Sequence, residues 1–367
     1  MKKIHDLPTP CLVLDLDRFE SNLDKMSRFA RERGIALRPH AKTHKCVNIA
    51  RRQIENGAVG ICAATIAEAE VMVRAGIRGL LITAEMAGEP KISRLIAVMS
   101  KAPDTMAVVD DVRNVHQLQR AAAAAGIQMT VLIDLDIGQN RTGIQPGEPA
   151  LHLANSIARA KNLELKGICA YAGHAAHVAG FDQRRASSHQ ALGQAIATRN
   201  LLLKRGHDVQ ILSGASTGTY NIDAEIDGVT ELQSGSYVFM DVEYRKIGGK
   251  TGAVYEDFAP ALYVLATVVH CSGNKAIVDA GIKALATDRP FGPEPLGMGG
   301  VNYEFAGDEH GRLLLKPGHE IQLGDRLRLI VPHCDPTVNL YDRFFCVRGE
   351  VVEDEWPIME RAGPMYF

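Results

Sequence analysis

Residues 38–45 read RPHAKTHK, which crowds two lysines, two histidines and an arginine into eight positions. The cluster follows the apolar GIALRP, where a desolvated ammonium is costly unless something uses it. Four further stretches carry reactive or polar side chains. IDLDIGQNRTG holds Arg141, and YAGHAAH holds Tyr171, His174 and His177. SGASTGT (213–219) and QSGSY (233–237) are rich in glycine and hydroxyls. A lysine whose amine pKa is depressed attacks carbonyl carbon, and neighbouring His and Arg would lower that pKa. Gly/Ser/Thr loops offer backbone N–H groups and hydroxyls to an anion.

A separate signal is PHCDPT (332–337). Read as an extended run, it puts His333 and Asp335 on one face and Cys334 on the other. Pro332 and Pro336 would stiffen that run. Imidazole plus carboxylate suits Mn²⁺, Mg²⁺ or Zn²⁺, and two protein ligands leave the rest of the shell to water or substrate.

The elements that must position these residues are legible from periodicity. Short apolar strand candidates alternate with amphipathic helix candidates from about residue 15 to 240. The strands are IALRPH (35–40), VGICAA (59–64), GLLITA (79–84), MAVVD (106–110), TVLIDL (130–135), LKGICAYA (165–172), VQILSG (209–214) and VTELQSG (229–235). Helix-like segments such as IAEAEVMVRAG and VRNVHQLQRAAAAAG lie between them and end in Gly, a common helix stop. This predicts a (β/α)8 barrel, whose chemistry sits at the C-terminal strand ends. There stand the 38–45 cluster, Arg141, Tyr171 and the two hydroxyl-rich loops. Loops after strands seven and eight form a recurrent phosphate site in barrels. With a lysine at the end of strand one, they point to pyridoxal phosphate. A doubly wound open sheet is the alternative, weakened because no GxGxxG follows the first strand. After about residue 250, β-like runs punctuated by turns predict a second, mostly β domain. TPCLVLDLD (9–17) is an extra strand that could pair with it. The expected division is a barrel over 15–245 and a β domain of 1–14 plus 246–367.

Composition narrows the class. The 367 residues carry a net charge of −2, which argues against a nucleic-acid or membrane-surface partner. Seven scattered cysteines with no CxxC pair indicate neither a disulfide framework nor a zinc ribbon. No apolar run approaches a membrane span, and MKKIHDLPTP lacks an apolar signal core. The expectation is a reduced, soluble, cytoplasmic protein.

Taken together, the motifs resemble the group of D-threonine aldolases, D-serine dehydratases and 3-hydroxy-D-aspartate aldolases, of the alanine-racemase-like fold (PLP fold type III). The resemblance runs from TPCLVLDLDRFESNL through RPHAKTHK, DLDIGQNRTG, SGASTGT, ELQSGSYVFMD and DAGIKAL to PHCDPTVNLYDRFFCVRGEVV. It implies Lys42, not Lys45, as the Schiff-base lysine. It implies Arg141 near the phenolic oxygen of pyridoxal 5'-phosphate and Tyr171 lining the cofactor. Phosphate contacts would come from Thr217, Gly218, Thr219, Gly235 and Ser236. The metal ligands would be His333 and Asp335, with manganese first and magnesium or zinc as alternatives. The H-x-D spacing resembles the aldolases, where D-serine dehydratases have H-x-C; the intervening Cys334 adds ambiguity. Asp279, Lys283 and Asp288 lie in a family-like stretch as suspected site support. A homodimer is also implied.

The activity so implied is retro-aldol cleavage of a D-3-hydroxy amino acid, D-threonine giving glycine and acetaldehyde. His177 is the first candidate for the base and His174 the next. The alternatives are 3-hydroxy-D-aspartate cleavage, a D-serine-type dehydratase, and a non-catalytic cofactor carrier on the same barrel. A metal-dependent hydrolase is disfavoured, since no HxH or carboxylate cluster ends the first strand.

Overall fold

The computed structural model describes residues 2–359 and Arg361. The strands in chain order are β1 Cys11–Asp15, β2 Ala36–Leu37, β3 Cys62–Ala63, β4 Leu81–Ile82, β5 Met106–Val109, β6 Met129–Asp134, β7 Leu163–Ala170, β8 Ile211–Gly214 and β9 Glu231–Leu232. They continue as β10 Leu262–Ser272, β11 Lys275–Val278, β12 Glu294–Pro295, β13 Asn302–Phe305, β14 Gly311–Leu314, β15 Arg326–Ile330, β16 Arg343–Arg348 and β17 Val351–Pro357. The chain divides into two compact units. One comprises residues 26–42 and 47–235, the other residues 1–25, 43–46 and 236–367.

The first unit is the expected barrel. Its eight strands are all parallel, in the order β2-β9-β8-β7-β6-β5-β4-β3. An isolated parallel bridge between His40 and Cys62 joins the two end strands. Side chains alternate across the sheet, as the two-residue strand period requires. Cys62, Leu81, Met106, Val108, Leu132 and Cys169 cluster on one face. Their neighbours Ala63, Ile82, Ala107, Val109, Val131 and Ile133 belong to the larger core with the helices. The helices start and stop as their sequences dictate. Thr65 caps Ile66–Arg74 by accepting from the Glu68 N–H. Asp111 caps Val112–Ala125, which ends at Gly126 with φ +66°.

A buried ion pair links the first and last barrel strands in sequence. Arg38 follows β2 and Glu231 opens β9; their side chains are 2.8 Å apart and both residues are buried. Ser213 Oγ donates to the other Glu231 oxygen at 2.6 Å. The Arg38 guanidinium also donates to the Gly79 carbonyl. Gly60 makes room for this, since a Cβ there would lie 1.8 Å from the Gly79 oxygen and 2.3 Å from the guanidinium.

The second unit is a nine-stranded mixed sheet with the path β13-β14-β11-β10-β1-β16-β17. β1 pairs antiparallel with β10 and parallel with β16, so the N-terminal strand does join the β unit. One expectation fails here. PHCDPT is not extended, because Cys334–Val338 forms a short helix with His333 at its N-cap position. Asp335 falls in the first turn, where a carboxylate is favoured, and Pro336 has no interior N–H to lose there. His333 and Asp335 are therefore a cap and a first-turn residue, not alternate positions of a strand.

Removing one partner of a buried ion pair leaves an uncompensated charge. Glu231→Ala should therefore cost about 3–5 kcal/mol of stability, read as a lowered midpoint in urea unfolding. An unchanged midpoint would show that the pair does not stabilise the β2–β9 junction.

Candidate active site

In the barrel unit, the strand ends assemble most of the expected residues. His40 accepts the Lys42 backbone N–H at Nδ1 (3.3 Å) and meets Thr83 Oγ1 through Nε2 at 3.0 Å. This fixes the Nε2–H tautomer and folds Ala41–Thr43 into a tight 3₁₀ turn. Lys42 is exposed on that turn. Lys45, in the other unit, places its ammonium 3.0 Å from Asn339 Oδ1.

Arg141 rides on the loop after β6, with its guanidinium 5.9 Å from the centroid of the Tyr171 ring. Carboxylates pin that loop. Asp136 accepts from the Gly138 and Asn140 N–H groups at 3.0 and 2.9 Å. Thr142 Oγ1 donates to Asp134 at 3.0 Å, and the Gly143 N–H donates to Asp110 at 3.0 Å. Burial, then hydrogen bonding with Glu85, pushes the Asp134 carboxyl up to about 8. His174 is exposed and packs against Gly138, where a Cβ would sit 3.0 Å from the imidazole. His177, half-buried, follows the short helix Gly173–Ala176.

The loop after β8 is braced from below. Arg184, fully buried, donates to the Gly218 carbonyl at 2.8 Å and to the Val178 carbonyl at 2.9 Å. Thr219 Oγ1 donates to Asp223 at 2.6 Å, and Ser188 Oγ donates to the same carboxylate. Burial pushes Asp223 up to about 6. Thr217 is buried in this loop. After β9, Ser234 is fully buried and its Oγ has no hydrogen-bond partner. An orphaned hydroxyl beside a glycine-rich loop fits an anion's oxygens. With the exposed Lys42 amine at the same strand ends, the barrel residues fit pyridoxal 5'-phosphate. Gly235 closes this unit's sequence, and Ser236 belongs to the other unit.

In the β unit, His333 is held in an ionic network. Its Nδ1 is 2.8 Å from Asp288 Oδ2, and its Nε2 is 3.9 Å from Glu243. Arg289 pairs with Glu243 at 2.6 Å and with Asp288 at 3.1 Å. Asp241, buried and pushed up to about 6 by that burial, accepts from the Tyr244 and Cys334 N–H groups at 2.9 Å each. Cys334 is fully buried with its Sγ toward the Met240 carbonyl, and burial drives its thiol well above the ordinary value. Among the described residues, no three His, Cys, Asp or Glu side chains form a ready metal site. The imidazole and carboxylate of His333 and Asp335 fit a cation that completes its shell with water or substrate.

The unassigned trio separates cleanly. Asp288 contacts His333. Asp279 accepts from the Thr267 N–H and the Thr9 hydroxyl, which makes it a strand-linking residue. Lys283 is exposed and pairs with Asp308 and Glu309. Sequence reasoning missed Arg184 and Asp223, whose partners lie 34 and 35 residues away, and gave Asp288 as suspected site support without its role beside His333. Ser234 stood inside the quoted QSGSY but was not among the expected phosphate residues, which there were Gly235 and Ser236.

A parallel barrel with a lysine at its first strand end, joined to a mixed β unit, is the architecture of the alanine racemase class. Residues 14–243 match the family described as alanine racemase, N-terminal domain, and residues 261–347 match the serine dehydratase domain. The chain is 36% identical over 361 residues to a 3-hydroxy-D-aspartate aldolase of Paracoccus denitrificans (strain Pd 1222), covering 97% of this chain and 93% of that one. It is 38% identical over 357 residues to a D-threonine aldolase of Arthrobacter sp, covering 96% and 93%. Its fold matches the crystal structure of D-threonine aldolase from Filomicrobium marinum with a TM-score of 0.94 at 39% identity, covering 98% and 97%. The chain belongs to the D-threonine aldolase, 3-hydroxy-D-aspartate aldolase and D-serine dehydratase group of this fold, and it is a lyase. No helix among the described residues is long and apolar enough to cross a membrane.

The Asp134 carboxyl gives a pH prediction. A carboxyl raised from 3.8 to about 8 binds a proton in the folded state that the unfolded chain releases. Its stabilising contribution is therefore full below about 4 and lost as pH rises toward 8. Asp134→Asn should flatten the decline of melting temperature over that window. A decline identical to that of the unmodified protein would remove Asp134 as its source.

Proposed function

We propose that the protein cleaves D-3-hydroxy amino acids between Cα and Cβ, with D-threonine giving glycine and acetaldehyde. The observation that carries this reading is the donor pair in the β unit. Cys334 is buried with its thiol turned to the Met240 carbonyl, so His333 and Asp335 remain as imidazole and carboxylate. Carboxylate oxygen suits Mn²⁺ or Mg²⁺, where a thiolate would favour zinc. A cysteine-to-alanine mutant of a related D-threo-3-hydroxyaspartate dehydratase has been solved in a metal-free form, which supports a metal site in the group. Relatives named 3-hydroxy-D-aspartate aldolase make that amino acid the second substrate to test. A cytoplasmic homodimer completes the proposal.

Pyridoxal 5'-phosphate, when bound, supplies a ring that takes up the electrons of the broken bond. Lys42 provides the amine that holds it. Ser234, Thr217, Gly218, Thr219, Gly235 and Ser236 are the proposed phosphate residues, and Arg141 serves the phenolic oxygen beside Tyr171. A divalent cation on His333 and Asp335, with manganese first, would lower the pKa of the substrate hydroxyl. His177 is the proposed base for that hydroxyl proton and His174 its alternate. His177 is the less exposed of the two, which limits exchange of the proton with bulk water.

The test is turnover of D-threonine by the purified protein with and without EDTA. Glycine and acetaldehyde that vanish with EDTA and return with Mn²⁺ are expected. α-Ketobutyrate and ammonia would instead identify a dehydratase. Lys42→Ala should abolish turnover and the visible absorbance of the bound cofactor, while Lys45→Ala should keep both. Loss of the absorbance in the Lys45 variant alone would transfer the cofactor amine to that residue.

A further inference from the structure

The segment bearing Asp288 is built against the His333 turn. The fully buried Thr337 accepts the Ala286 N–H at 3.1 Å and donates its own hydroxyl to the His333 carbonyl at 2.8 Å. Tyr341 donates to the Ala284 carbonyl at 2.8 Å. These bonds hold Asp288 beside an imidazole 45 residues away, with Oδ2 at 2.8 Å from Nδ1. Arg289 Nη1 lies 3.1 Å from the same oxygen, and its Nε lies 2.6 Å from Glu243. The carboxylate is thus fixed from a second side. Glu243 Oε2, at 3.9 Å, lies beyond hydrogen-bonding distance of Nε2. An imidazole that donates Nδ1–H to a carboxylate keeps its lone pair on Nε2 and becomes a stronger base there.

We propose that Asp288 is a positioning residue for the divalent cation: it holds His333 in the Nδ1–H tautomer and directs Nε2 at the metal. Arg289 supports this by bridging Asp288 and Glu243. The two carboxylates then neither repel each other nor swing toward the imidazole's metal-binding edge. The inference rests on the reading of His333 as a cation ligand.

The experiment titrates the purified protein with MnCl₂ alone, without substrate, reading free Mn²⁺ by electron paramagnetic resonance. Asp288→Ala should weaken binding about 10–100-fold, the range for lost partners of metal-bound histidines. Asp288→Glu should recover much of it. Thermal melts in EDTA should match the unmodified protein for both variants, which a merely structural role for Asp288 would not allow. Mn²⁺ affinity unchanged in Asp288→Ala, while His333→Ala abolishes binding, would overturn the inference and leave the cation site standing. No saturable Mn²⁺ binding by the unmodified protein, or binding that survives His333→Ala, would overturn the site reading and the inference with it.

Discussion

The Arg38–Glu231 ion pair is the constraint on which the barrel site depends. The strands it joins are only two residues long, with Ala36 and Leu37 facing Glu231 and Leu232. Flanking backbone bonds, Ala36 N–H to Thr230 and Arg38 N–H to Leu232, are too few to specify register alone. A one-residue slip would turn both charged side chains to the wrong face and leave them buried and unpaired. The pair therefore acts as a register lock. The residues C-terminal to each strand inherit its position: Pro39 to Lys42 beyond β2, and Gln233 to Gly235 beyond β9. Ser213 and Gln233 extend the lock across β8 and toward Cys169 on β7, by bonds of 2.6 and 2.9 Å and a longer one to sulfur.

The two units divide charge between them in a way that suits two different ligands. In the barrel, the loop after β8 is lined by hydroxyls and backbone amides. The nearby carboxyl of Asp223 is occupied, accepting from Ser188 and Thr219. Arg184 adds a buried positive charge behind the Gly218 carbonyl. That balance favours an anion. Around His333 the balance reverses. Asp288, Glu243, Asp335 and the buried Asp241 give four carboxyls against the guanidinium of Arg289, a net of −3 when all are ionised. An excess of negative charge in a partly buried turn is what a divalent cation offsets.

How much of this was legible in the sequence depended on range. The barrel strands were readable because they are short apolar runs between amphipathic helices, buried both on the inner face, such as Val108, and on the helix-packed face, such as Val109. Lys42 stood out because charge crowds at the end of an apolar strand. PHCDPT was misread for a local reason. An H-x-D pattern satisfies strand alternation, but Asp335 and Pro336 together are helix-start residues, and the second reading won. Asp288 was suspected from its family-like stretch but without a role, and Arg184 and Asp223 were not legible as site residues. Each acts through a partner brought near only by the fold, and nothing in FDQRRASS or YNIDAE distinguishes Arg184 or Asp223 from surface charges.

The loop after β6 shows how a single local device sets two functional groups at once. Its backbone turns sharply at Gly138 (φ +117°), Asn140 (φ +53°) and Gly143 (φ +100°). Asp136 satisfies two N–H groups inside the turn, an Asx arrangement that tolerates the left-handed Asn140. Gly143 is required because a Cβ there would strike the Asp136 nitrogen at 2.4 Å. The same fold of the loop aims Arg141 at Tyr171 and lays Gly138 against His174. Arg141 and His174 therefore cannot be repositioned independently. Any change that loosens the hold of Asp134 on Thr142 moves a proposed cofactor contact and the alternate base together. The candidate His177 caps the same short helix that carries His174, and Gly173 of that helix packs against Gln139 of the loop, so both histidines are tied to it.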